Sequence, residues 1–251
     1  MVSSIAAMKK SAATPSFRPL YEQIKVLLTN SLVAGEWKPG EAIPSEMELA
    51  ERYHVSQGTV RKAIDALAAE NILFRRQGKG TFVASHSEPA YQYRFLRMKP
   101  DAGEQVPPTN SFFGLERGKA DAEAARALEL DAGAAVMCFK RVMSFAGRAV
   151  ILDEIMFSAS QFPGFTLAEL EYFHGSVYSF YETVFGVRMI RAQECLKAVP
   201  ADSVAAAHLK VAVGTPLLRV DRVAYTYGDK PVEWRRGLCI TDGFSYINEL
   251  N

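Results

Sequence analysis

Gln57, Thr59 and Arg61 stand close together at the start of the stretch SQGTVRKAIDALAA, residues 56–69. Val60, Ala63, Ile64 and Leu67 recur there at i, i+3, i+4 and i+7, the apolar stripe of a helix with one buried face. Gln pairs bidentately with adenine and Arg with guanine, and a Thr methyl can meet thymine. A recognition helix reads bases mostly with its N-terminal residues. Gly58 leaves room for close approach, and Lys62 adds a cation on the same side. Further on, Arg75, Arg76 and Lys79 cluster around Gln77-Gly78-Lys79-Gly80, a glycine-bearing turn whose cations suit phosphate neutralisation. From Thr59 to Val83 five Lys or Arg face two acids, a net of +3, whereas the whole chain is only +1. The positive charge is a local stripe, the pattern expected of a nucleic-acid-reading face.

The flanking elements place these side chains. Pro44, Ser45 and Glu48 spell a helix start with a capping box. That helix is expected to run to about Tyr53, with Met47, Ala50 and Tyr53 at helical spacing. His54-Val55-Ser56 is only long enough for a turn, and Ser56 can cap the next helix. An earlier helix is expected from Leu20 to about Leu32, with Leu20, Ile24, Leu27 and Leu28 on one core face, Pro19 in its first turn and Gly35 just past its end. Ile72–Arg76 and Thr81–Ala84 read as hairpin strands. Two helices at a tight turn, followed by a basic hairpin, are what is needed to seat one helix in a DNA groove with a loop beside it.

Composition bounds the rest. The chain has 251 residues and 49% hydrophobic content, enough for two modest cores. Residues 1–16 lack an apolar signal-peptide core and are expected to form a disordered tail. No run of 18 apolar residues marks a membrane span, and the odd, widely spaced cysteines suggest a cytoplasmic protein. Cys138, Cys195 and Cys239 are far apart, which suggests reduced, buried thiols, and the four histidines show no metal-ligand spacing, so no structural metal and no cofactor are expected. Ser85–Ala90 is a polar, proline-containing linker. Beyond it the pattern predicts helices over 121–130, 166–173, 176–185 and 202–209. Strands are predicted over 135–145, 150–157, 187–199, 217–227 and 231–240, with Gly228-Asp229 as a hairpin turn. Short turns between strands imply an antiparallel sheet with helices on one face, an α+β fold. Arg141, Asp153, Glu154, Glu194, Glu233 and Arg235 interrupt otherwise apolar stretches, as solvent-facing positions or as polar groups of a pocket.

Residues 17–85 resemble the winged helix-turn-helix domain of GntR-type bacterial transcription regulators. The matching segments are PLYEQIKVLL (19–28), WKPGEAIPSEMELAERYHVSQGTVRKAIDALAAENIL (37–73) and RRQGKGTFV (75–83). The resemblance implies DNA contacts at Met47, Gln57, Arg61, Gln77 and Gly78. Many members carry Arg where this chain has Met47 and Gln57. With the residues read above, the expected DNA-binding set is Ser45, Met47, Gln57, Gly58, Thr59, Arg61, Lys62, Arg75, Arg76, Gln77, Gly78 and Lys79. Residues 93–248 are similar to the UTRA effector-binding domain of the HutC subfamily, whose fold is shared with chorismate lyase. GSVYSFYETVFGVRMIRAQECLKAV (175–199) and GTPLLRVDRVAYTYGDKPVEWRRGL (214–238) carry this second match. It implies a dimer and an effector pocket involving Arg141, Glu154, Ser176, Tyr178 and Glu233. In sugar-phosphate-binding members a second Arg follows two residues after the first; here that position is Met143. The Ser/Thr-rich phosphate loop is replaced near Tyr93-Arg94-Phe95. Arg94 with Arg141 would suit a carboxylate instead.

The expected domains are thus the tail (1–16), the DNA-binding domain (17–85), a linker (86–92) and an effector-binding, dimerising domain (93–248). The expected function is a dimeric transcription regulator, a repressor, that reads a pseudo-palindromic double-stranded operator and answers to a small-molecule effector. The alternatives are a lyase-like enzyme using the second domain, and a protein-interaction adaptor. The sequence offers the enzyme no nucleophile beside a base, no phosphate-binding glycine loop and no paired histidine ligands.

Overall fold

The computed structural model describes residues 18–103 and 106–249; the expected N-terminal tail lies outside the described residues. Helix α1 (Leu20–Val33) opens after Pro19 and ends before Gly35, whose φ of +74° reverses the chain. Helix α2 (Glu46–Tyr53) has the expected capping box: Ser45 accepts from the Glu48 N–H, and the Glu48 carboxylate accepts from the Ser45 N–H at 2.7 Å. His54 takes a left-handed turn, Ser56 caps, and α3 (Gln57–Ala69) follows. Strands β1 (Leu73–Arg76) and β2 (Gly80–Val83) form the wing. Val60, Ala63, Ile64 and Leu67 are all buried, packed on Ile24, Leu28, Leu32, Trp37 and Leu49.

The core-facing side of α1 differs from the expected one. Leu20 is 50% and Leu27 44% exposed, while Ile24, Leu28 and Leu32 are buried. Leu27 falls outside the four-residue spacing of Ile24, Leu28 and Leu32, whereas Leu20 keeps that spacing but is the first residue of the helix. In α2 the buried residue is Leu49, and Met47 points outward at 62% exposure. Met47 therefore stands on the accessible side, not in the core.

After the wing, α4 (Pro89–Gln92) is one helical turn, and β3 (Met98–Pro100) pairs with β10 (Phe244–Tyr246). The larger unit is an antiparallel sheet of β4 (Thr109–Lys119), β5 (Ala135–Phe145), β6 (Arg148–Ser158), β7 (Arg191–Pro200), β8 (Pro216–Tyr225) and β9 (Pro231–Ile240), in the order β4-β5-β6-β9-β8-β7. Helices α5 (Ala122–Ala127), α6 (Leu167–Tyr172), α7 (Val177–Phe185) and α8 (Ser203–Leu209) connect them. The sheet is helix-covered on both faces, not on one. Helices α6 and α7 pack with Phe139, Ile155 and Phe157. On the opposite face Ala124 of α5 joins Val136, Met156 and Trp234, and His208 of α8 stacks on Phe113, the register partner of Lys140. Strand β4 was not among the expected strands: a register shift between Phe113 and Glu116, with Gly114 at φ +66°, breaks its alternation. Cys239 is buried and Cys138 half-buried, but Cys195 is exposed on the edge strand β7. No described helix is long and apolar enough to cross a membrane.

Candidate DNA-reading face and effector pocket

Helix α3, the start of α2 and the wing converge on Glu46, the first residue of α2. Its carboxylate accepts from Arg61 Nε at 2.9 Å and from Gln57 Nε2 at 3.2 Å, and lies 3.1 Å from the Arg75 guanidinium. Sequence reasoning missed it. The hydrogen bond from Arg61 holds the Glu46 carboxyl below its ordinary range. Arg75 also reaches Asp65 at 2.7 Å. Ser45, Met47, Gln57, Gly58, Arg61, Lys62 and the wing from Arg75 to Lys79 are exposed; Thr59 is half-buried, with its hydroxyl 2.9 Å from that of Ser56. Ser45 spends its hydroxyl on the cap, leaving it a positioning role. Arg76 lies over Phe74 and Phe82 and pairs with Glu88 at 2.9 Å. The arrangement presents Gln57 and Arg61 beside the cations of the wing, the set that can read base edges and hold phosphates.

The second site lies on one face of the large sheet. Strand alternation and register stack its polar residues in adjoining rungs between two apolar clusters. Arg141 stands opposite Asp153, which stands opposite Gly237; on the next rung Arg235 stands opposite Arg222, and Arg222 opposite Glu194. Asp153 Oδ2 accepts from Arg141 Nε at 2.9 Å and lies 3.6 Å from Arg235. Arg235 is paired with Glu233, which also accepts from the Tyr178 hydroxyl at 3.0 Å. Arg222 binds Glu194, and Tyr246 donates to the same carboxylate. Burial alone would raise the Asp153 carboxyl, but Arg141 and Arg235 hold it below its ordinary value. Burial pushes the Tyr178 hydroxyl up to about 12, aided by Glu233.

These rungs floor a cavity of about 80 Å³, walled by Ser176 and Tyr178 at the start of α7, by Phe95 and Arg97, and by Tyr246. Asp153 Oδ1 takes no hydrogen bond among the described residues, and a Cβ at Gly237 would sit 2.8 Å from it. The glycine thus leaves the space in front of that oxygen open. Of the expected effector residues, Arg141, Ser176 and Tyr178 line this cavity. Glu233 lies behind its wall, fully buried and holding Tyr178 and Arg235. Glu154 does not belong to it: next to Asp153, it faces the other side of the sheet, in register with Lys140 and Arg236. Arg94 does not join Arg141 either; it donates to the Ile190 carbonyl at 2.6 Å and borders a separate cleft between the two units. Asp153, Arg222 and Arg235 complete the lining, and Glu194 holds Arg222 and Tyr246 from outside it. Only the pairing register, which the sequence alone does not fix, brings them together. No group of three or more His, Cys, Asp or Glu among the described residues is arranged to hold a metal.

Residues 20–83 match the model of the gntR family of bacterial regulatory proteins, and residues 104–245 match the UTRA domain. The chain is 29% identical over 238 residues to the "probable fructoselysine utilization operon transcriptional repressor" of Escherichia coli, covering 89% of this chain and 91% of that one. It is 30% identical over 223 residues to an HTH-type transcriptional regulator of Mycobacterium tuberculosis, covering 86% and 80% of the two chains. Among solved structures, the ligand-binding domain of a GntR-family regulator from Bordetella bronchiseptica matches with a TM-score of 0.61 and 43% identity, over 64% of this chain and 99% of that one.

Proposed function

The chain belongs to the GntR family of bacterial regulatory proteins, with a UTRA domain as its larger part, and on that premise we propose a cytoplasmic, homodimeric repressor that reads a pseudo-palindromic operator. Residues 17–85 are its DNA-binding domain, 86–92 the linker and 93–248 the effector-binding and dimerising domain. The observation that carries the DNA role is the meeting of Gln57, Arg61 and Arg75 at Glu46, which supports a prearranged reading face. Ser45, Met47, Gly58, Thr59, Lys62, Arg76, Gln77, Gly78 and Lys79 complete that face. The pocket's chemistry supports a small polar effector. Asp153 Oδ1 offers one acceptor to a hydroxyl or ammonium, and Arg141, Arg222 and Arg97 favour a carboxylate. A small hydroxy or amino acid meets both demands. The relatives are named as transcription regulators, and the enzyme alternative finds no support among them.

The test is binding of the purified protein to a labelled fragment of its own upstream region at two salt concentrations, against random DNA. Selective binding that weakens steeply with salt is expected. Absence of DNA binding even at low salt would overturn the proposal. Hydroxy acids, amino acids and sugar phosphates are then screened for release; release by sugar phosphates alone would reject the carboxylate.

A further inference from the structure

Three consecutive residues just before β7 reach from the sheet domain into the winged helix. Arg188 donates to the Asn71 carbonyl at 2.9 Å and to the Ile72 carbonyl at 3.1 Å, at the turn between α3 and the wing. The Met189 carbonyl accepts Nε2–H of His86 at 2.8 Å. Ile190 is buried in the same cluster as Ile24, Leu28 and Ile64. Behind this strap stands Glu182 of α7. Its carboxylate accepts from the Ser85 hydroxyl and from the His86 N–H at 3.1 Å, and its Oε2 lies 3.5 Å from Arg188 Nε. Ser85, His86, Glu182 and Arg188 are all buried, although the first two begin the polar linker. A buried pair that also satisfies backbone groups fixes geometry, because losing one partner strands the other without water.

The clamp touches the pocket through one helix. Tyr178 and Glu182 are four residues apart in α7 and so share a face. Tyr178 walls the cavity, its ring centroid is 5.7 Å from that of His86, and Phe95 meets both rings at 5.6 and 6.1 Å. We propose that Glu182 and Arg188 are positioning residues that set the placement of the DNA-reading unit on the effector domain, and that the wall of the cavity acts on this clamp through Tyr178 and His86. The docking stands independently of any effector; its link to the cavity rests on the pocket assignment above. A ligand that moves Tyr178 would shift the two units only by as much as it favours one placement over the other.

Amide hydrogen exchange of the full-length protein tests both halves. Glu182→Gln is expected to speed exchange about tenfold in segments 71–74 and 84–88 together, with strands 137–157 unchanged. Faster exchange in 84–88 alone would show that Glu182 serves only the linker and would overturn the docking role. If Glu182→Gln loosens the whole sheet, Arg188→Lys decides: it keeps the charge beside Glu182 but lacks the fork that spans two carbonyls. It must release 71–74, and unchanged protection there would overturn the docking role. Tyr178→Ala is expected to release 84–88, whereas Cys239→Ala, on the sheet floor of the cavity, leaves that segment protected. An unchanged 84–88 segment in Tyr178→Ala would remove the link to the cavity while leaving the docking intact.

Discussion

Glu46 sits where protein and DNA would compete for the same donors. Arg61 and Gln57 are held on its carboxylate; on the proposed reading of bases they would turn part of that hydrogen bonding to the DNA. Arg61→Ala is therefore expected to cost about 1–3 kcal/mol of specific binding with little change on random DNA, read as the ratio of the two affinities. An equal loss on both DNAs would make Arg61 a phosphate contact. His86 carries a separate signature at the linker. Burial pushes its ring down to about 4 from an ordinary 6.5. A depressed base binds fewer protons folded than unfolded, so stability is full above about pH 6.5 and is lost as pH falls towards 4, by up to about 3 kcal/mol. Urea unfolding at pH 7.5, 6 and 5 should show this loss, and His86→Gln should flatten it. Glu182, raised by burial, has the opposite sign, its stabilisation fading as pH rises through its folded value, so the difference between protein and variant isolates His86.

At the scale of elements, α3 is legible in the sequence because one period governs it: Val60, Ala63, Ile64 and Leu67 are spaced for one face, and all are buried. The capping box of α2, the Ser56 cap and the turns are legible for the same local reason. The polar rungs of the sheet are not. Asp153 and Glu154 are adjacent carboxylates in one apolar run, and only the pairing with Arg141 and Gly237 decides which faces the cavity. The first turn of α7 and strand β9 meet at that cavity, which makes Gly237 a sensitive position. Gly237→Ala is expected to displace the Asp153 carboxylate from a Cβ otherwise 2.8 Å away and to abolish effector-dependent release. Operator affinity without effector should remain, since no DNA-facing residue moves. Retained release in the same gel-shift titration would mean that Asp153 does not meet the ligand.

In the molecule as a whole, the winged helix and the sheet domain are joined by more than the linker. Ile190 belongs by sequence to the sheet domain and by packing to the winged helix. Ile190→Ala should destabilise the winged helix by about 2–5 kcal/mol, the range for emptying a buried aliphatic site. Trp37, buried in that core, reports its unfolding by fluorescence once Trp234 of the sheet is replaced by Phe in both proteins. An unaltered urea midpoint for that signal would show that the winged helix does not lean on Ile190. The same feature bears on exchange of parts between regulators. A hybrid cut in the linker carries a DNA-reading unit with a gap where Ile190 belonged, facing a foreign strap at the Asn71 and Ile72 carbonyls. The natural seam for transplanting specificity from one regulator to another therefore follows a contour, not a point in the chain. It must take residues 188–190 along, or find a host whose strap already has that shape.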